Sequence, residues 1–264
     1  MDRRHFLALC TIGALRTSTT FAARARFQLG VGTYTFRGVS IDTLIRRLVQ
    51  LRIRHVELSS PDFMLPRVEV KETLLLRDKF RHAGIHAVSY YCGTIKTEED
   101  VEGAVQVASI LRSRHVSGTA AGDALALIDR RFPRAGLTFG LHNHWFRGRK
   151  FEHESPEDLM KALEGLSPAV GITLDTGHMA SCGYDPVEAL VKVRRRLKAV
   201  HLKDVARAGD DKNVILGAGV ARSAAVIDEL KRQGFRGLVA IEYEEGRDPD
   251  AEVQRCLTFA RSRM

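Results

Sequence analysis

Val170-Gly171-Ile172-Thr173-Leu174 runs directly into Asp175-Thr176-Gly177-His178, a short apolar, β-rich segment closed by an acid, a hydroxyl, a glycine and an imidazole. A buried strand ending in polar groups is the unit from which parallel α/β folds build their sites. Working outward, the unit recurs. Candidate strands precede it at Gln28 to Thr35, Arg54 to Leu58, His86 to Tyr91, His115 to Gly118 and Thr138 to Asn143, and follow it at Ala199 to Lys203 and Leu238 to Glu242. Their starts are spaced by roughly 30 residues, the length of one strand, one helix and the loops between them.

Between the strands, apolar residues fall at helical spacing, as in Ile41-Leu44-Ile45-Leu48, Leu159-Leu163-Leu166 and Val187-Leu190-Val191. Ser155-Pro156 and Asp185-Pro186 each supply a capping residue and a first-turn proline, while Gly84, Gly136 and Gly234 stand where helices should stop. Eight such units predict one α/β domain over residues 26–264, a (β/α)8 TIM barrel. A doubly wound open sheet is the competing arrangement. It calls for a glycine-rich dinucleotide loop after the first strand, and Gly30-Val31-Gly32-Thr33-Tyr34-Thr35 lacks the third glycine.

With 44% hydrophobic and 28% charged residues in 264, the composition excludes collagen and disorder and fits one globular core. A chain of this length buries about three quarters of its unfolded surface, so neither a disulfide nor a metal is needed for folding. Cys10, Cys92, Cys182 and Cys256 show no CxxC spacing and leave only a single Cys92–Cys182 bridge open. The net charge of +9 is spread over several helices, without aromatic residues interleaved among the basic ones. That pattern argues for a solvated surface rather than a nucleic-acid partner.

Residues 1–25 predict a separate role. Arg3-Arg4, the apolar run Phe6 to Leu15 and Ala23-Arg24-Ala25 form the three parts of a secretory signal, and the paired arginines resemble the twin-arginine type. Ten apolar residues are too few to span a bilayer stably. The expectation is cleavage near residue 25 after passage through the twin-arginine export machinery, and a periplasmic or otherwise extracytoplasmic barrel.

Chemistry in a barrel sits at the carboxyl ends of its strands. There the sequence places Val56-Glu57-Leu58, Leu141-His142-Asn143-His144-Trp145, Leu174-Asp175-Thr176-Gly177-His178, His201-Leu202-Lys203-Asp204 and Ile241-Glu242-Tyr243-Glu244. So many carboxylates and imidazoles at one mouth must compensate each other, and a divalent cation does this economically. A mixed nitrogen and oxygen shell suits Mn, Zn, Co or Fe better than Ca or Mg.

These five motifs, in this order at successive strand ends, resemble the xylose isomerase-like TIM barrel superfamily of sugar phosphate isomerases and epimerases, over residues 28 to 260. The resemblance implies one divalent ion held by His142, Asp175, His201 and Glu242. Many two-base epimerases carry Glu where this chain has His142, and relatives with the HNH pattern often continue with an acid where it has Trp145-Phe146-Arg147. The symmetrical mechanism of two metal-bound glutamates therefore does not carry over, whereas the metal site does.

Enediolate chemistry assigns the remaining roles. Glu242 or Glu57 takes the α-carbon proton, Lys203 donates to an oxygen or acts as base, and His178 relays protons or touches substrate. Tyr34, Asn143, His144, Trp145 and Asp204 are the expected sugar contacts. Leu216-Gly217-Ala218-Gly219 offers amides to a phosphate, although an exported enzyme favours a free sugar, polyol or keto-sugar. The same intermediate can expel a leaving group, so a keto-sugar or keto-glycoside lyase or dehydratase is the alternative activity, and a silent sugar-binding barrel the alternative class. The DNA-repair endonuclease branch needs three metals. Ser59, Ser60, Tyr90, Tyr91 and Gly217 to Gly219 stand where its further ligands belong. Oligomeric state is left open.

Overall fold

The computed structural model describes residues 27–65, 69–246 and 248–264. The export signal read in residues 1–25, with Cys10, lies outside them. Eight strands, β1 (Gln28–Gly32), β2 (His55–Leu58), β3 (His86–Ile95), β4 (His115–Ala120), β5 (Thr138–His142), β6 (Val170–Asp175), β7 (Leu197–Leu202) and β8 (Leu238–Ile241), pair in parallel in chain order and close β8 onto β1. This is the (β/α)8 barrel expected from the spacing, and it excludes the open sheet. β1 is shorter than expected because Thr33–Phe36 winds into a 3-10 turn in which the Tyr34 amide donates to Ser59 Oγ (2.9 Å).

Among the described residues, the α-helices are α1 (Ile41–Gln50), α2 (Val70–His82), α3 (Glu98–Leu111), α4 (Ala124–Arg131), α5 (Pro156–Ala162), α6 (Thr176–Ser181), α7 (Pro186–Val193), α8 (Ser223–Arg232) and α9 (Asp250–Arg261). The predicted caps are used. Ser155 Oγ accepts from Asp158 N and Asp185 Oδ1 from Val187 N, each just before a proline that needs no donor partner.

Strand side chains alternate between the barrel interior and the helix layer. The outer set, including Val56, Leu58, Val116, Leu141, Ile172, Leu174, Val200, Val239 and Ile241, packs with Leu48, Leu76, Ile128, Leu190, Leu230 and Leu257 into one apolar shell. Truncating any of these large side chains to alanine costs about 2–5 kcal/mol. The inner set is polar or small: Glu57, Ser89, Ser117, Thr173, Asp175 and His201 are buried there. Gly32 belongs to it for steric reasons, since a β-carbon would stand 2.5 Å from Glu242 Oε1.

Two irregularities set the register of the interior. A shift between Val56 and Glu57 makes Glu57 the partner of Ser89, and another between Ile172 and Thr173 brings Asp175 beside His201. No helix among the described residues is long and apolar enough to cross a membrane. Cys92, Cys182 and Cys256 are free thiols, so the Cys92–Cys182 bridge left open by the sequence is not formed.

Candidate functional site

β5 ends at His142, β6 ends at Asp175, β7 carries His201 in its last turn, and the chain leaving β8 delivers Glu242. Their donor atoms meet inside the mouth. His142 Nε2 lies 2.9 Å from His201 Nδ1, which lies 3.5 Å from Glu242 Oε2 and 3.9 Å from Asp175 Oδ2. All four side chains are buried. Asp175 uses Oδ1 to accept from His178 N (2.8 Å), capping α6, while Oδ2 accepts no aligned hydrogen bond and faces Lys203 Nζ at 3.2 Å and His142 Nε2 at 3.8 Å.

Charge at this mouth is set by competition between burial and partners. Burial holds His142 and His178 neutral, each lowered to about 3, and pushes His144 well below its usual value. Burial would do the same to His201, but the Glu242 and Glu57 carboxylates outweigh it and raise the ring to about 10. Glu57 is pushed up by burial and brought down to about 2 by the His201 charge and hydrogen bond and by serine hydroxyls. Burial raises Glu242, despite the nearby His201 and Lys203. Lys203 is driven down by burial and up by Asp175, Glu244 and Glu242, with the carboxylates prevailing.

The donor set fits a divalent ion. Two imidazole nitrogens and the Asp175 carboxylate converge, Glu242 Oε2 stands 3.5 Å from one of those nitrogens, and a fully buried carboxylate oxygen without an aligned donor is the group an ion would satisfy. Among the described residues, His142, Asp175 and His201 form one set of potential ligands and Glu57, His201 and Glu242 a second, overlapping one, the atoms of each lying within 4.8 Å of one another.

A cavity of about 250 Å³ opens above these groups, lined by Tyr34, Tyr91, His144, Phe146, His178, Lys203, Glu242 and Glu244 among others. It holds roughly eight water volumes, enough for a small polyol. The structure thus brings Tyr34, His144, His178 and Lys203 to the cavity and redirects several other expectations. Trp145 does not line it; the next residue, Phe146, does, packed edge-on against His144. Asn143 is not a sugar contact: it donates to the Asp175 carbonyl (3.1 Å) and accepts from the Asp175 amide (2.8 Å), clamping β5 to β6. Asp204 is consumed within its own loop, accepting from Gly217 N and Ala221 N (2.9 Å each) and from Ser223 Oγ (2.9 Å). The amides that the sequence offered to a phosphate therefore already hold a carboxylate. The carboxylates around Lys203 hold its ammonium charged, which favours the donor role over that of a base.

Glu57 lies behind His201, away from the cavity, which removes it as a base. Sequence reasoning assigned no role to Glu244, whose Oε1 accepts from Lys203 Nζ, nor to Tyr91, whose hydroxyl meets His144 Nε2 at 3.2 Å. Both were signalled by period-two spacing, Glu244 from Glu242 and Tyr91 from the inward-facing Ser89.

Residues 103–263 match the xylose isomerase-like TIM barrel family, more than half of the chain. The chain belongs to this family. Among relatives of the xylose isomerase-like barrel described here, the rhizopine catabolism protein MocC of Rhizobium meliloti is 28% identical over 166 residues, 57% of this chain and 49% of that protein. The inosose dehydratase of Geobacillus kaustophilus is 43% identical over 53 residues, 20% of this chain and 17% of that protein. The chain spans about half the length, or less, of the curated relatives it matches. The D-allulose 3-epimerase from Methylomonas sp., solved with D-allulose, superposes with a TM-score of 0.71 at 16% identity, over 92% of this chain and 99% of that one. At that identity the likeness is one of fold.

Proposed function

We propose that this protein is a divalent-metal-dependent sugar isomerase or epimerase that acts through an enediolate on a free sugar, polyol or keto-sugar. The observation that carries the reading is that His201 Nδ1 lies 2.9 Å from His142 Nε2, 3.5 Å from Glu242 Oε2 and 3.9 Å from Asp175 Oδ2, directly beneath a sugar-sized cavity. These four residues would hold the ion. When bound, it supplies Lewis acidity, polarising a carbonyl and steadying the negative charge that follows proton loss.

The chain's own groups do the rest. Glu242 faces the cavity with a carboxylate made more basic by burial, so it takes the proton from the carbon beside the carbonyl. Lys203 stays charged and donates from Nζ to the oxygen where charge develops. Neutral His178 and His144 accept or donate hydrogen bonds to hydroxyls without adding charge. Tyr34, Tyr91 and Phe146 supply apolar walls that exclude water. Asp204 in the loop amides argues against a phosphate there, and the export signal read in residues 1–25 would put the barrel outside the cytoplasm, where unphosphorylated substrates prevail.

Short but close similarity to the inosose dehydratase supports a second reading, elimination from the same intermediate. One experiment separates the two. The Mn-loaded protein is incubated in D2O with a panel of unphosphorylated ketoses and followed by NMR and mass spectrometry. Deuterium at the carbon beside the carbonyl with an unchanged formula identifies isomerisation or epimerisation, and a product lighter by one water identifies the dehydratase. Sugar binding without deuterium at any carbon would leave a binding protein and overturn the enzymatic reading.

A further inference from the structure

Glu57 is fully buried, does not line the site cavity, and has both carboxylate oxygens engaged: Oε1 accepts from Ser89 Oγ (2.6 Å) and Oε2 accepts from His201 Nε2 (2.5 Å). The register shift between Val56 and Glu57 is what makes Ser89 its strand partner. Val56 and Glu57 are consecutive while their partners Ala87 and Ser89 skip Val88, so the extra residue lies in β3; without it Val88, not the serine, would stand opposite Glu57. The local irregularity, the serine and the carboxylate thus form one device aimed at a single ring nitrogen.

The His201 ring has two nitrogens on opposite sides. Its Nε2 is held by Glu57, whereas its Nδ1 faces His142 Nε2 (2.9 Å), Glu242 Oε2 (3.5 Å) and Asp175 Oδ2 (3.9 Å). Side-chain proximity alone permits two ion positions, one with His142 and Asp175, the other with Glu57 and Glu242. We infer that Glu57 is a positioning residue: by occupying His201 Nε2 and keeping a proton there it takes itself out of the second set, presents Nδ1 to the ion and selects the position beside His142 and Asp175, with Glu242 Oε2 3.5 Å from the same Nδ1. A ligating histidine held by a carboxylate through its other nitrogen is fixed in orientation and made a stronger donor, and loss of such a partner weakens metal binding by roughly 10–100-fold. The inference rests on the reading of the cluster as a metal site and adds which atom binds and what enforces it.

The full chain, with its histidine rings labelled with 15N, is loaded with zinc, and the His201 nitrogens are assigned by their absence in His201→Gln. The expected spectrum shows Nε2 protonated and Nδ1 metal-bound. In parallel, zinc affinity is measured by competition with a chelator. Glu57→Gln, which keeps an acceptor but loses the charge, should bind roughly 10–100-fold more weakly than the wild type, Glu57→Ala more weakly again, and Ser89→Ala should move in the same direction to a smaller extent. Zinc bound through His201 Nε2, or a Glu57→Gln protein that binds as tightly as the wild type, overturns the inference while leaving the metal reading intact. A wild-type protein that takes up no zinc overturns both. Should the Glu57 variants fail to fold, the wild-type spectrum decides alone.

Discussion

Asp175 divides its two carboxylate oxygens between architecture and chemistry. Oδ1 caps α6 and Oδ2 stands bare beside an ammonium and three imidazoles. Lys203 is the counterweight, its Nζ 3.2 Å from Asp175 Oδ2 and from Glu242 Oε2. Lys203→Met should leave divalent binding in place, because no ligand is removed, and lower deuterium exchange by about 10²-fold or more, the usual cost of losing a donor to developing charge; rates on the Mn-loaded variant check this. A different residue governs acid stability. His115, on β4 beneath the site, touches Thr138, Thr173 and Ser117 and is lowered by burial to about 4. Its unfolded form titrates near pH 6.5. Between these values the unfolded chain binds the extra proton, so the contribution of His115 to stability is whole above pH 6.5 and lost as pH falls toward 4, up to about 3 kcal/mol in all. His142, His144 and His178 are lowered too and steepen the same fall. In urea titrations from pH 7 to 4.5, His115→Gln should show a shallower loss of stability than the wild type; parallel curves would contradict this.

At the scale of elements, the β7-to-α8 loop is organised around one carboxylate. Asp204 gathers Gly217 N, Ala221 N and Ser223 Oγ, and a β-carbon on Gly219 would meet Asp204 Oδ1 at 2.4 Å. Asp204→Ala leaves two buried donors, Ala221 N and Ser223 Oγ, unpaired at about 1–3 kcal/mol each, so a loss of stability of at least about 2 kcal/mol is expected in chemical denaturation. If inorganic phosphate then stabilises the variant but not the wild type, the nest reading is supported; a variant as stable as the wild type would refute it. The strands and caps were legible in the sequence because apolar runs and Ser-Pro or Asp-Pro pairs act locally. Asp204 was misread for the opposite reason: its donors lie 13 to 19 residues away, and no local pattern marks a loop folding back on a side chain. Trp145 and Phe146 show the same limit, since a period of two says which neighbours share a face but not which face a loop residue turns inward after a strand has ended.

Over the whole molecule, the eight-fold repeat was readable from spacing alone, and the residues expected as ligands lie at strand ends that the closed barrel brings together. What spacing did not show was register. The irregularities that set Glu57 opposite Ser89 and Asp175 beside His201 decide which groups face each other, and no short motif in the chain marks them. The central claim is that distant strands share one cation through His142, Asp175, His201 and Glu242. Calorimetric titration of metal-stripped protein with Mn(II) tests it most directly, using Asp175→Asn as the control because the amide oxygen can still cap α6. The account predicts one saturable site per chain in the wild type and none of comparable affinity in the variant; an absence of binding, or a site that Asp175→Asn leaves untouched, would contradict it.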